Sequence, residues 1–359
     1  MEATQLLDAG AEQGASLYEE VRGDVPSKPQ GPLEPSGPAS VCWSGRLPAR
    51  DPAGANVAIL LCTYFGQRFL ADQLDSFAAQ SHTNWQVWAS DDGSTDATRD
   101  ILTGYQAAWG ASRLDIQAGP ARGSAVNFLT LACNEGIVAD YFAYSDQDDI
   151  WDADKLSRAT AWLDAQPADV PALYCSRTQL VDAHNGVIGY SPLFTKPASF
   201  ANALIQNLGA GNTMVFNQAA RRLLQAAGKD IGVLAHDWWT YLAVTGCGGN
   251  VYYDTRPSLR YRQHEQNQVG MNASWATRMV RIRTMLRGGN RHWNDRNIAA
   301  LQKLRAFMTP ENREILDRFA AARHQWFMPR LVSLARSGVY SQSTMGNLGV
   351  LVAGVLKRF

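Results

Sequence analysis

The sequence predicts an α/β protein with a doubly wound, mostly parallel sheet followed by C-terminal helices. Three observations predict it. Short unbroken apolar runs recur from residue 57 to about 165, segments of helical spacing alternate with them, and the last ninety or so residues keep only the helical spacing. A parallel strand covered on both faces reads as a continuous apolar run, and alternation of such runs with helices is the mark of a parallel α/β sheet.

The elements follow in order. VAILLCTY (57–64) is the first strand, and FLADQLDSFAAQS the first helix, with Phe69, Leu70, Leu74 and Phe77 on one face. WQVWASDD (85–92) is the second strand, and GSTDATRDILTGYQAAW starts a helix with Ser94, Thr95 or Asp96 as N-cap. RLDIQAGP, SAVNFLTLACNEG and DYFAYSD supply a strand, a helix and a fourth strand, and WDADKLSRATAWL a helix that Asp152 and Asp154 cap. Beyond 165 the pattern is more mixed. ALYCSRTQLVD, GVIGYSPLF and GAGNTMVFN read as strands, QAARRLLQAA and DWWTYLAVTG as helices, the latter ending at Gly246, and VYYDTRPSLRYRQH as closing strands. From Trp275 onward, Ile282, Leu286, Ile298, Leu301, Leu304, Ile315 and Leu316 mark amphipathic helices, and there is no internal repeat.

This organisation divides the 359 residues into three parts: a leader over 1–55, an α/β domain over 56–270 and a helical region over 271–359. The leader holds seven prolines and little periodic hydrophobicity, so it is expected to be disordered, with room for one short helix near 11–21. Net charge is zero, yet the last part carries 15 Lys+Arg against 4 Asp+Glu, a net of +11. A basic region beside an acidic body suits an anionic ligand or surface, and equally a solvated basic face. The basic residues are dispersed with no reading motif, so no nucleic-acid partner is expected. The five cysteines form no CxxC pair and read as reduced core thiols. The start MEATQLLDAGAEQ lacks the features of a signal peptide, and GVLVAGVL is far short of the ~20 apolar residues that span a bilayer. The expected location is cytoplasmic, with a peripheral place at the inner face of the cytoplasmic membrane left open.

Polar clusters end three strands: Thr63–Tyr64, Asp91–Asp92–Gly93–Ser94, and the carboxylates of YSDQDDIW (144–151). Ligands of open α/β sheets bind beyond the carboxyl ends of strands, where strand order reverses. Neither a P-loop nor a dinucleotide fingerprint is present, so phosphate needs another counter-charge. A hard divalent cation on Asp148, with or without Asp146, supplies one. The positive partner of the acidic run is therefore expected from outside the chain.

VAILLCTY, ASDDGSTDAT and YSDQDDIW, in this order and spacing, resemble family 2 glycosyltransferases of the GT-A fold over about 57–270. SDQDDIW, HDWW (236–239) and YRQHEQNQVG (261–270) are most similar to bacterial rhamnosyltransferases, which use dTDP-rhamnose. The resemblance implies that 56–270 is a GT-A catalytic domain for a metal-dependent inverting transfer to a surface polysaccharide or lipid-linked glycan. It implies Thr63 and Tyr64 against the nucleotide base, Asp92 on the pyrimidine N3–H, and Asp146–Gln147–Asp148 as a DxD motif. Within that motif Asp146 lies near the ribose and Asp148 on Mg²⁺ or Mn²⁺; Asp149 could equally begin the next helix. It implies Asp237 as catalytic base, with N-cap of its helix as a compatible second role. His264 is a candidate third metal ligand, and Arg262 and Gln263 are candidates for diphosphate or acceptor. Gly123, Asn127, Gly211 and Asn212 stand where the family lines the donor sugar. Trp238 and Trp239 are not expected to face one core together, so one of them, such as Trp238, could form a sugar platform. The family's TYN-G loop here reads Thr63–Tyr64–Phe65–Gly66, and Gln67 replaces a common acidic residue.

UDP-sugars present the same pyrimidine edge and remain an alternative donor. A nucleotidyltransferase on a related fold would want a Gly- and Lys/Arg-rich loop after the first strand, where CTYFGQRF has one Gly and one Arg. A non-catalytic nucleotide-sugar sensor or scaffold could lose Asp237, which is present. The C-terminal helices could lie in a membrane interface, pack on the catalytic domain, or pair with a second copy as a homodimer.

Overall fold

The computed structural model describes residues 54–263 and 289–358. The expected leader helix, His264 and the beginning of the basic region up to 288 lie outside the described residues.

Strand β1 (Val57–Thr63) is buried at every position. Because side chains alternate across a strand, Val57, Ile59 and Leu61 enter one core while Ala58, Leu60 and Cys62 enter another. The first core is shared with helices α1 (Leu70–Ala78), α2 (Thr98–Trp109) and α4 (Lys155–Asp164). The second is shared with α3 (Ser124–Cys133), α5 (Phe200–Ala203), α6 (Gln218–Ala227) and α7 (His236–Gly246). Helices thus cover both faces, which is why the run VAILLCT carries no alternation.

β1 pairs in parallel with β2 (Trp85–Asp91) on one side and β4 (Tyr141–Ser145) on the other, and β2 pairs with β3 (Leu114–Ala118). The order β3-β2-β1-β4 reverses direction at β1, so the crevice lies at the carboxyl ends of β1 and β4. Beyond β4 the sheet is mixed. β8 (Val215–Asn217) joins β4 antiparallel and β6 (Ala172–Val181) joins β8 antiparallel. β9 (Asn250–Arg262) runs parallel to β6, and β5 (Ile150–Trp151) closes the order against the end of β9. β7 (Val187–Tyr190) pairs with β6. The closing segment expected as strands is the one long strand β9, and its end returns to the residues just after the acidic run.

Three local expectations change. α2 opens on Ala97 as N-cap, with Asp96 Oδ1 accepting from Thr98 N at 3.1 Å. α4 opens at Lys155, and its N-cap Asp154 makes no side-chain cap, pairing with Arg158 at 3.5 Å instead. Asp152 faces Arg260 at 3.9 Å. Trp238 and Trp239 do face one core. α7 is enclosed on all sides, every residue from Trp239 to Gly246 being buried, and such a helix has no polar face to keep its tryptophans apart.

The C-terminal helices α8 (Gly289–Lys303), α9 (Pro310–His324), α10 (Phe327–Ser337) and α11 (Thr344–Leu356) pack on the α7 side of the sheet. Leu301, Leu304, Leu316, Phe319, Leu334 and Ala353 extend that core. Thr309 caps α9 by accepting from Asn312 N, with Pro310 in the first turn. Each fully buried Leu or Phe contributes about 1.5–3 kcal/mol, so Phe319→Ala is the single change best placed to loosen this layer.

Candidate active site

The crevice is built from three backbone ends and one helix start. In register, Thr63 ends β1 beside Asp91 at the end of β2. Asp91 is buried and satisfied: Thr63 Oγ1 (2.9 Å) and Ser94 Oγ (2.6 Å) donate to Oδ1, and Ser94 N (3.0 Å) donates to Oδ2. Asp92 accepts from Ala121 N at 2.6 Å and Gly123 N at 2.9 Å, fixing the loop that enters α3. Asn127 does not line a pocket surface. It is 1% exposed, accepts from Ser90 Oγ at 2.5 Å and donates to Ser90 O at 3.0 Å, locking α3 to β2.

The loop after β1 is held by the middle residue of the acidic motif. Gln147 Oε1 accepts from Tyr64 N (2.8 Å) and Nε2 donates to Tyr64 O (2.9 Å), as a neighbouring strand would. Phe65 sits in the left-handed region at φ 52°, a conformation that costs most residues about 1–2 kcal/mol and that Asn tolerates better. Here Phe65 N donates to Ser94 Oγ, Gly66 N to Thr98 Oγ1, and Gln67 Oε1 accepts from Ala97 N. The Phe65 and Gln67 departures are therefore absorbed by contacts with the 94–98 turn. Tyr64 and Phe65 are exposed and meet edge to face, ring centroids 4.5 Å apart.

At the end of β4 the carboxylates differ from one another. Asp149 does not begin a helix: it precedes β5 and is fully buried, accepting from Asn212 Nδ2 and from Arg262 N. Burial, then Asp148 and Asp146, push its carboxyl well above the usual range. Asp146 is half-buried and pushed up to about 7 by burial, then by Asp148 and Asp237. Asn212, expected beside the donor sugar, is buried against Asp149, and its carbonyl accepts from Lys155 Nζ.

Asp237 lies in the first turn of α7, after the N-cap Ala235, so the N-cap expectation is corrected by two positions. Trp238 N donates to its Oδ1 at 2.7 Å and Gly211 N to its Oδ2 at 3.1 Å. Burial raises its carboxyl, opposed by those amides and by the Asn207 side chain. A Cβ on Gly211 would stand 2.5 Å from His236 Nε2, so only glycine lets this turn reach Asp237. His236 stacks on Phe128 at 3.8 Å, and burial lowers it to about 3, leaving the imidazole neutral.

Two further candidates have inward contacts. Arg262 is 2% exposed: it donates to Asp72 (2.8 Å), Asp148 O (3.0 Å) and Ala183 O (3.3 Å) and lies over the Phe69 ring. Its guanidinium ties β9 to the acidic turn from within, because β9 ends beside β5. Trp238 is half-buried: its Nε1 donates to Ala203 O at 2.6 Å and its ring leans on Trp293. Gln263 N donates to Val181 O at 2.8 Å, extending the β6–β9 pairing. The sequence reading also missed Lys155, which is fully buried 3.4 Å over the Trp151 ring. Burial pushes its ammonium well below the usual lysine range, opposed by Asp149 and Asp146. A basic group of the chain itself therefore stands beside the acidic run. A lysine beginning a helix reads as solvated, and only the fold of β5 against β9 encloses it.

Among the described residues no three His, Cys, Asp or Glu side chains are grouped closely enough to hold a metal ion by themselves. Asp148 and Asp237 both act on Asp146, while Lys155 is turned to a carbonyl and a ring and Arg262 contacts Asp72 and carbonyls. Oxygen donors of this kind are what Mg²⁺ or Mn²⁺ takes.

A match to glycosyl transferase family 2 covers residues 58–222. The dTDP-rhamnosyl transferase RfbG of Shigella flexneri is 28% identical over 231 residues, spanning 62% of this chain and 78% of the relative. The putative teichuronic acid biosynthesis glycosyltransferase TuaG of Bacillus subtilis is 31% identical over 105 residues, 28% of this chain and 39% of that one. Among solved structures, S. aureus TarS 1–349 in complex with UDP-GlcNAc aligns over 79% of this chain and 93% of its own, at 16% identity and a TM-score of 0.48.

Proposed function

Residues 58–222 make this chain a family 2 glycosyltransferase, and on that premise we propose that it transfers rhamnose from dTDP-rhamnose, with inversion, to a hydroxyl of a cell-surface polysaccharide or its lipid-linked precursor. The donor rests on likeness to the rhamnosyl transferase of Shigella flexneri. A UDP-sugar is the second candidate, because uracil offers the same N3–H. The observation that supports the chemistry is that Asp148, after β4, and Asp237, from the start of α7, both act on Asp146.

Thr63 and Tyr64 border the base, and Asp92 accepts from its N3–H while keeping the 121–123 amides. Asp146 faces the ribose. Asp148, with His264, would hold Mg²⁺ or Mn²⁺, which when bound neutralises charge on the diphosphate. Asp237 takes the acceptor proton as the acceptor oxygen bonds to C1 and the C1–diphosphate bond breaks. Its two oxygens are aimed by the Trp238 and Gly211 amides, and burial makes it a stronger base than an exposed aspartate. No covalent enzyme intermediate is needed. The reaction takes place on the cytoplasmic side, where nucleotide sugars are made.

The test is a donor panel with and without EDTA, read as release of nucleoside diphosphate. Turnover of dTDP-rhamnose that EDTA abolishes is expected. Turnover of another donor in its place would remove the rhamnose assignment, and EDTA-resistant turnover would remove the metal.

A further inference from the structure

The C-terminal helices keep one face on the protein and leave the other uncovered. On α11, Ala353 and Gly354 are buried, and a Cβ on Gly354 would stand 2.6 Å from Leu334 of α10. The opposite face presents Met345, Leu348, Leu351 and Val355, spaced three, three and four residues apart, all exposed. These positions fall within one side of a helix of 3.6 residues per turn, and α11 contains no charged residue at all. On α10, Met328 and Val332 are exposed four residues apart, and Trp326 just before the helix is 70% exposed. Half-exposed apolar side chains scattered singly need no explanation, but a contiguous set on two adjoining helices marks a contact surface.

Charge selects the partner. From 318 to 359 the chain has six Lys+Arg and no Asp or Glu. Lys357 and Arg358 are exposed directly after α11, and Arg336 is exposed at the end of α10. A second copy docking this face on itself would set cations against cations with no carboxylate from this segment between them. A bilayer with anionic headgroups takes the apolar side chains below the headgroups and the cations among them, with a rim tryptophan at the interface. The helices cannot cross: no helix among the described residues is long and apolar enough to do so.

The face is also joined to the acceptor side of the crevice. Gln206 Oε1 accepts from Ser341 Oγ (2.5 Å) and Gln342 N (2.8 Å), just before α11. The side chain of the next residue, Asn207, helps to lower the Asp237 carboxyl. We propose that the outer face of α10 and α11 is a docking surface for an anionic lipid bilayer, seating the enzyme beside a lipid-linked acceptor. This deepens the lipid-linked form of the proposed acceptor and rests on it only for that last clause.

The full chain is sedimented with phosphatidylcholine vesicles and with vesicles containing phosphatidylglycerol. Binding to the anionic vesicles only, weakened by salt, is expected. Lys357→Glu with Arg358→Glu should weaken it about tenfold or more, and Leu348→Glu with Leu351→Glu should abolish it. Equal binding of the wild type and both variants, or no binding to either vesicle, overturns the proposal. So does a dimer in light scattering that the Leu348/Leu351 variant dissolves, since the occupant is then a second copy. Binding of dTDP-rhamnose by the same samples, expected unchanged, keeps this failure distinct from failure of the donor assignment.

Discussion

Two pairs of aspartates end neighbouring parts of the same sheet and have opposite surroundings. Asp91 and Asp92, after β2, are met by two hydroxyls and three amides. Asp146 and Asp148, after β4, share their crevice with a third carboxylate, and Asp146 is pushed up to about 7. Hydrogen bonds to a carboxylate favour its charged form, whereas burial and like charges oppose it. The first pair is thus met by the fold's own donors before any ligand arrives. The second is crowded with like charge, which the proposed cation would relieve. Asp149 stands between them in kind, being as buried as any core residue and matched to Asn212 and the Arg262 amide.

The largest effect expected from this contrast is on transfer. Asp237→Asn keeps the side chain's size and one of its two amide contacts and removes the proton acceptor, so kcat should fall by about 10²–10⁴ while donor affinity holds in calorimetry. Substantial residual transfer would take the base role from Asp237. Next comes stability. Arg262→Met leaves the Asp148 and Ala183 carbonyls without their donor in a buried place, at a cost of about 3 kcal/mol in urea unfolding. A loss under about 1 kcal/mol would mean that the guanidinium is no strut between β9 and the acidic turn. Smaller still is a pH shift. Because burial raises Asp237 and the base works deprotonated, transfer at saturating donor should decline, as pH falls, sooner than an exposed aspartate titrating at about 3.9 would dictate. A rate flat to that pH contradicts a buried carboxylate as base.

Much of this was legible in the sequence for physical reasons. VAILLCT had to be covered on both faces, and the strand–helix alternation required the polar clusters after β1, β2 and β4 to meet. What was not legible depended on β9. A thirteen-residue strand whose end returns to β5 buries Arg262 and Lys155, and no local spacing announces that. Read locally, both looked like solvated or ligand-facing cations. The two tryptophans of HDWW failed the same way: helical periodicity separates faces only when one face meets water, and α7 has none. Phe65 shows the converse, a departure visible in the sequence whose consequence, a left-handed aromatic, is absorbed by Ser94.

The comparison is tested most directly by donor binding in two variants. dTDP-rhamnose is titrated into Asp148→Ala and Asp92→Ala with Mn²⁺ and again with EDTA. The account predicts that Asp148→Ala loses the part of the affinity that Mn²⁺ adds, while Asp92→Ala weakens binding by the same factor in both conditions. An Asp148→Ala protein whose affinity still rises with Mn²⁺ as the wild type's does would contradict it.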